Sequence, residues 1–234
     1  MRECLPELTE LAEVLGHEVL VAERDTDLYL RARRKDRLTL AAEMQWQLLP
    51  GRSCSRPEFE LGAQLEPAYA IHGDNFDWSA TADRLALYVS NGMGEGIEAS
   101  LLTNLTVNAL RNARRAGIPL ADQAALADQA VYAHYRGRSH MSVLMFDFEL
   151  NTGRARVVDA GSPQTLRLRD GVYAVASPKG EAYGDAALAR AIQRTRLLPA
   201  ADVPRAVLRE LTGHRGTPTP DDDALVVCLD WRGR

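Results

Sequence analysis

Residues 84–161 constrain the fold of this chain more than any other stretch. A strand-like run, "RLALYVS", passes through a glycine-rich loop into two successive helical patterns, Ile97–Arg115 and Leu120–Tyr135. Only after both helices do two further strand-like runs follow, "SVLMFDFEL" and "ARVVDAG", with Asn151-Thr-Gly153 as the turn between them. Leu101, Leu105, Val107 and Leu110 give the first helix its apolar positions. Strands that follow one another directly, with helices segregated between runs of strands, indicate an α+β protein rather than an alternating parallel sheet. The flanks agree. "FELGAQLEPAYA" precedes this stretch as a strand, and "TLRLRDG", helices at Ala186–Thr195 and Ala201–Leu211, and a closing strand "ALVVCLDW" follow it.

The N-terminal part is different in kind. From Pro6 to Leu49 the pattern is helical: Leu8, Leu11 and Leu15 share one face, and Leu40, Met44 and Leu48 recur at four-residue spacing until Pro50-Gly51 ends the run. The expected organisation is therefore a helical extension over residues 1–50 and one domain over 51–234, entered through the linker "PGRSCSRPE". An apolar helix face must be covered, either by its own domain or by a second copy; the second case makes a homodimer through the N-terminal helix. The basic residues Arg31, Arg33, Arg34, Lys35 and Arg37 lie inside this helical region and read as a solvated face, with a contact surface for an anionic partner as the alternative.

Composition removes several classes of function. A net charge of −4, a pI near 5.8 and no alternation of Lys or Arg with aromatic residues beyond a short run near the N-terminus argue against nucleic acid as a partner. Cys4, Cys54 and Cys228 are far apart and lack metal-ligand or disulfide spacing, which fits a reducing cytoplasm. The N-terminal stretch "MRECLPELTELAEVL" carries acids through its apolar run and does not resemble a signal peptide, and no apolar run approaches the ~20 residues of a membrane helix.

Three acidic clusters stand at strand ends or in tight turns: "HGDNFDW" with Asp74 and Asp77, "RDG" with Asp170, and "PDDDALVV" with Asp221, Asp222 and Asp223. Taken singly, each reads equally as a turn or a cap. The loop "SNGMGEG" places Gly92, Gly94 and Gly96 at alternate positions and lacks the Gly-Lys-Ser/Thr of a phosphate-binding P-loop. A nucleotide-binding enzyme therefore stands as a minor third reading.

In their order along the chain, "HGDNFD", "NGMGEG", "RDG" and "DDDALVV", preceded by the helix "LAAEMQWQLLP", resemble the metal-dependent protein phosphatases of the PPM (PP2C-like) group, in its bacterial SpoIIE/RsbU branch. The resemblance runs over residues 40 to 232 and implies an α-β-β-α sandwich of two mainly antiparallel sheets flanked by helices. It implies hydrolysis of phosphoserine or phosphothreonine in a regulatory phosphoprotein, of the anti-anti-sigma type by analogy, in bacterial signalling. Two Mn²⁺ or Mg²⁺ ions would share a water that attacks phosphorus, which removes the need for a side-chain nucleophile. Hard ions want oxygen ligands, and by resemblance these are Asp74, Asn91, the Gly92 carbonyl, Asp170 and Asp221. Asp77, Glu95 and Asp222 stand close enough in sequence to support them.

Two positions depart from the family pattern. Asn91 occupies the place of an aspartate that bridges both metals, and Glu95 that of a common histidine. A carboxamide oxygen brings no charge. A unit charge is worth about 4 kcal/mol at 4 Å for an effective dielectric near 20, so its loss weakens metal binding by roughly three decades. Near Asp170 the chain passes from "DAGSP" to "VYAVASPKGEAYG" with a segment shortened, so Asp170 is either a ligand or a hairpin turn residue. The expected activity is correspondingly weak. The alternative is a catalytically silent phosphatase-like domain that binds a phosphoprotein or partner.

Overall fold

The computed structural model describes residues 5–25, 39–66, 72–161, 185–195, 197–216 and 222–232. The chain divides into two compact units, Met1–Thr39 and Leu40–Arg234. The first contributes helix α1 (Leu5–Asp25), on which Leu8, Leu11 and Leu15 are exposed.

The second unit opens with helix α2 (Leu40–Leu48), which therefore groups with the sandwich, not with an extension ending at residue 50. It buries Ala41, Ala42, Gln45 and Leu48, and Leu40 is exposed. Its own domain covers this face, since the Ser100 hydroxyl donates to the Ala41 carbonyl at 3.1 Å. Strands β1 (Ser53–Ser55), β2 (Phe59–Glu66), β3 (Asp74–Ala80) and β4 (Arg84–Gly92) follow. Next come helices α3 (Gly96–Arg115) and α4 (Leu120–Tyr135), strands β5 (Met141–Glu149) and β6 (Ala155–Ala160), helices α5 (Asp185–Thr195) and α6 (Val203–Arg215), and strand β7 (Ala224–Trp231).

Two antiparallel sheets result, ordered β1-β2-β7 and β3-β4-β5-β6 among the described residues. Side chains alternate between the two faces of a strand, and the alternation in β4 and β7 assigns the layers. Leu85, Leu87 and Val89 of β4 meet Leu225, Val227, Leu229 and Trp231 of β7 between the sheets, together with Phe59, Leu61, Ala63 and Leu65 of β2. Tyr88 of β4 looks the other way and packs with Val143, Met145, Leu110, Leu120 and Ala127 under α3 and α4. Ala224 and Val226 of β7 likewise turn away from the inter-sheet core, against Leu188, Val207, Leu208 and Leu211 of α5 and α6. The architecture is thus the expected α-β-β-α sandwich. The hairpin turn expected at Asn151–Gly153 joins β5 to β6, with the Gly153 N–H donating to the Glu149 carbonyl at 2.8 Å. The strand expected at "TLRLRDG" lies outside the described residues.

Close backbone approach fixes one glycine in this frame. A Cβ on Gly62 of β2 would sit 2.0 Å from the Ala200 carbonyl oxygen and 2.6 Å from the Ala201 Cα. The segment leading into α6 therefore lies directly on the strand, and only glycine permits it.

Candidate functional site

Strand β3 begins at Asp74 and β4 ends at Gly92, and the register places Asp74 directly opposite Asn91. Directly opposed residues of an antiparallel pair project from the same face, with Cβ atoms ~5 Å apart. That face is the inter-sheet one, because Phe76, two residues after Asp74, and Val89, two before Asn91, both pack there. Asp223 stands two residues before Leu225, which packs in the same core. The acidic ends of both sheets thus meet at one edge of the sandwich.

Gln45 joins them. Its Nε2 donates to the Asp74 carbonyl at 2.6 Å and to Asp223 Oδ2 at 3.1 Å, and all of Gln45 is buried. The His72 N–H donates to the same Asp223 oxygen at 3.1 Å, and the Asp223 N–H donates to Asp222 Oδ1 at 2.8 Å. The His72 ring nitrogen Nδ1 lies 3.7 Å from Asp222 Oδ1. A carboxylate as deeply buried as Asp223 is tolerable because backbone and amide donors surround it.

The glycine-rich loop is fixed from below. The Gly73 carbonyl accepts from the Gly92 N–H at 3.2 Å and from the Thr103 hydroxyl of α3 at 2.9 Å. A Cβ on Gly92 would lie 3.0 Å from Thr103 Oγ1 and 3.2 Å from the Met141 Cε, and Gly73 holds φ at +87°. A side chain at either position would push strand and helix apart. Glu95 takes the N-cap position of α3 in extended conformation, makes no capping hydrogen bond and is exposed.

Asp77 goes elsewhere. It lies on the opposite face of β3 from Asp74, where Oδ1 accepts from Arg111 at 2.7 Å and Oδ2 from Arg114 at 2.8 Å. Arg111 also donates to the Leu48 carbonyl, tying α2 to the sheet through α3. Beside this cluster the Tyr88 hydroxyl donates to Gln123 Oε1 at 2.7 Å, and burial raises its pKa above the usual 10.0 despite the nearby Arg114. Asp77 therefore holds a helix to a sheet and does not support the Asp74 edge.

The structure thus brings Asp74, Asn91, Gly92 and Asp222 to one edge, and adds Gln45, Gly73, Thr103 and Asp223, which sequence reasoning did not single out as site residues. Asp170 and Asp221 lie outside the described residues. The donors present, a carboxylate, an amide oxygen and a backbone carbonyl, are oxygens of the kind a hard divalent cation takes. Among the described residues no three His, Cys, Asp or Glu side chains form a metal-binding group, so these donors make only part of a shell.

Comparison with known proteins follows the same outline. Residues 81–172 match the family model described as Stage II sporulation protein E (SpoIIE), a stretch that includes Asn91, Gly92 and Asp170 but neither Asp74 nor Asp221. No curated protein sequence matches the chain. Among solved structures, the SiaA-PP2C domain of Pseudomonas aeruginosa aligns at TM-score 0.56 and 16% identity, over 74% of this chain and 85% of that one. The RsbU and RsbW domains of a Mycobacterium tuberculosis protein align at 0.55 and 19% identity, over 76% of this chain and 61% of that one. The PP2C phosphatase domain of SpoIIE from Bacillus subtilis, with a fragment of its regulatory domain, aligns at 0.55 and 16% identity, over 79% of this chain and 66% of that one. The chain therefore spans less than two thirds of the length of the latter two. Residues 81–172 are thus similar to the SpoIIE model, and the fold is like that of these PP2C domains.

Proposed function

We propose that this chain is a protein phosphatase that hydrolyses phosphoserine or phosphothreonine in a regulatory phosphoprotein, of the anti-anti-sigma type by analogy with the branch it resembles. The observation that carries the reading is the pairing of Asp74 with Asn91 above the Gly73–Gly92–Thr103 contact, at the edge where the two sheets meet. Asp74, Asn91 and the Gly92 carbonyl would hold divalent Mn²⁺ or Mg²⁺, two ions in all, with Asp170 and Asp221 completing the set. Such ions, when bound, supply Lewis acidity toward the phosphoryl oxygens and toward water.

The chain's own residues do the positioning. Asp74 brings the negative charge, and its backbone is pinned by Gln45. Thr103 and Gly73 hold the Gly92 backbone at one height, so the carbonyl is presented by a rigid strand end and not by a mobile loop. Asn91 fills the volume of a carboxylate and offers an oxygen without charge. That same amide favours the second reading, a silent domain that binds the phosphoprotein without hydrolysing it.

Hydrolysis of a phosphoserine peptide across a Mn²⁺ titration separates the two. A phosphatase gives slow, Mn²⁺-dependent turnover that Asp74→Ala removes and that Asn91→Asp raises together with apparent metal affinity. No turnover in the natural chain but clear turnover in Asn91→Asp identifies the silent domain. Absence of turnover in both, with no Mn²⁺ binding by calorimetry, refutes the phosphatase reading.

A further inference from the structure

Directly behind the Asp74–Asn91 pair, on the helix-facing side of the sheet, the next register pair is Asn75 and Ser90. Asn75 is completely buried, and among the described residues neither its Oδ1 nor its Nδ2 has a hydrogen-bond partner. It lines a small cavity of about 10 Å³ together with Asp77, Tyr88, Ser90, Val107 and Leu110. The volume is that of about one water-sized sphere, the least that a buried water needs.

We infer that this cavity is a binding site for a single structural water, held by the Asn75 carboxamide. A water both donates and accepts, so one molecule can serve the Oδ1 acceptor and the Nδ2 donor, which no lone protein group at this place does. Further partners are at hand. Among the described residues the Ser90 hydroxyl makes a long contact, 3.5 Å, to the Asn75 carbonyl, and Asp77 Oδ1 and Oδ2 have acceptor capacity beyond their arginine bonds. The apolar wall of Val107 and Leu110 closes the α3 side of the cavity. An entirely apolar cavity of this size would stay dry, and the buried carboxamide is what makes this one wet. The site depends on none of the metal chemistry proposed for the other face of the strands.

A crystal structure of the full chain at about 1.5 Å or better tests this. The expected result is one ordered water within hydrogen-bonding distance of both Asn75 side-chain atoms. An empty cavity, or an Asn75 rotamer that reaches a protein partner instead, overturns the inference. Asn75→Leu fills the space and removes the anchor, and its structure should lack the water while keeping the sandwich. Persistence of the water in Asn75→Leu overturns the assignment of Asn75 as its holder. If that variant fails to fold, magnetic relaxation dispersion of water on the natural chain counts long-lived internal waters, and a count of zero is likewise fatal.

Discussion

Replacing Asn91 by aspartate should change stability with opposite sign in the absence and presence of metal. Asn91→Asp sets a second carboxylate directly opposite Asp74, itself only 9% exposed. At the ~5 Å separation of directly opposed side chains and an effective dielectric near 20, the repulsion amounts to about 3 kcal/mol. Swinging the carboxylates toward solvent relieves part of it, leaving a loss of about 1–3 kcal/mol. For a chain of this size that lowers the metal-free Tm by roughly 3–10 °C. A divalent ion between the two carboxylates reverses the sign, because the added charge that destabilises the empty edge strengthens the filled one. Mn²⁺ at a hundred times its Kd adds about 2.7 kcal/mol to the native state. Thermal melts of both proteins, in chelator and across a Mn²⁺ titration, should show Asn91→Asp melting lower in chelator and gaining more from Mn²⁺ than the natural chain. An equal Tm in chelator would mean that the two side chains do not face each other. A deficit that Mn²⁺ leaves untouched would mean that the pair is not a cation site.

Three further outcomes follow from the packing. Gly62→Ala should destabilise by about 3 kcal/mol or more, read from chemical denaturation, since the clash is with backbone that cannot rotate away. Arg111→Met should cost about 2–3 kcal/mol in the same assay, because Asp77 keeps only Arg114 and the Leu48 carbonyl loses its donor. Burial raises the Tyr88 pKa in the folded state. Above pH 10 the unfolded chain therefore releases this proton before the native one, so the contribution of Tyr88 is complete below that pH and declines as pH rises through the raised folded value. Tyr88→Phe should accordingly show a flatter loss of stability with alkaline pH than the natural chain.

Much of the fold was legible because apolar periodicity carries it. "ALVVCLDW" forms β7 with the expected ends, Ala224 and Trp231, and α4 spans the expected Leu120–Tyr135. Strand β3 was not legible. "DNFDWSA" is poor in β-branched residues, and its helix-facing positions are Asn75 and Asp77, so the alternation of Phe76, Trp78 and Ala80 is masked by polar groups that are nonetheless buried. The candidate site shows the same division. Asp74 and Asn91 could be marked from the order of motifs, but their registry across β3 and β4 needs the pairing itself. Gln45 was hidden because its neighbours Met44 and Leu48 carry the helical pattern, and a buried glutamine amid them gives no periodic signal. Gly73 and Thr103 matter only through a contact between residues 30 positions apart, which no local reading contains.

The placement of the three tryptophans gives the protein an optical reporter of its own architecture. Trp78 and Trp231 both pack in the inter-sheet core, Trp231 stacked on Phe148 with centroids 5.5 Å apart and Trp78 donating its indole N–H to the Gly51 carbonyl at 2.6 Å, whereas Trp46 on α2 is 42% exposed. Quenching thus distinguishes a half-buried pair, which registers separation of the sheets, from a more exposed third on α2, which a quencher reaches first, without a label.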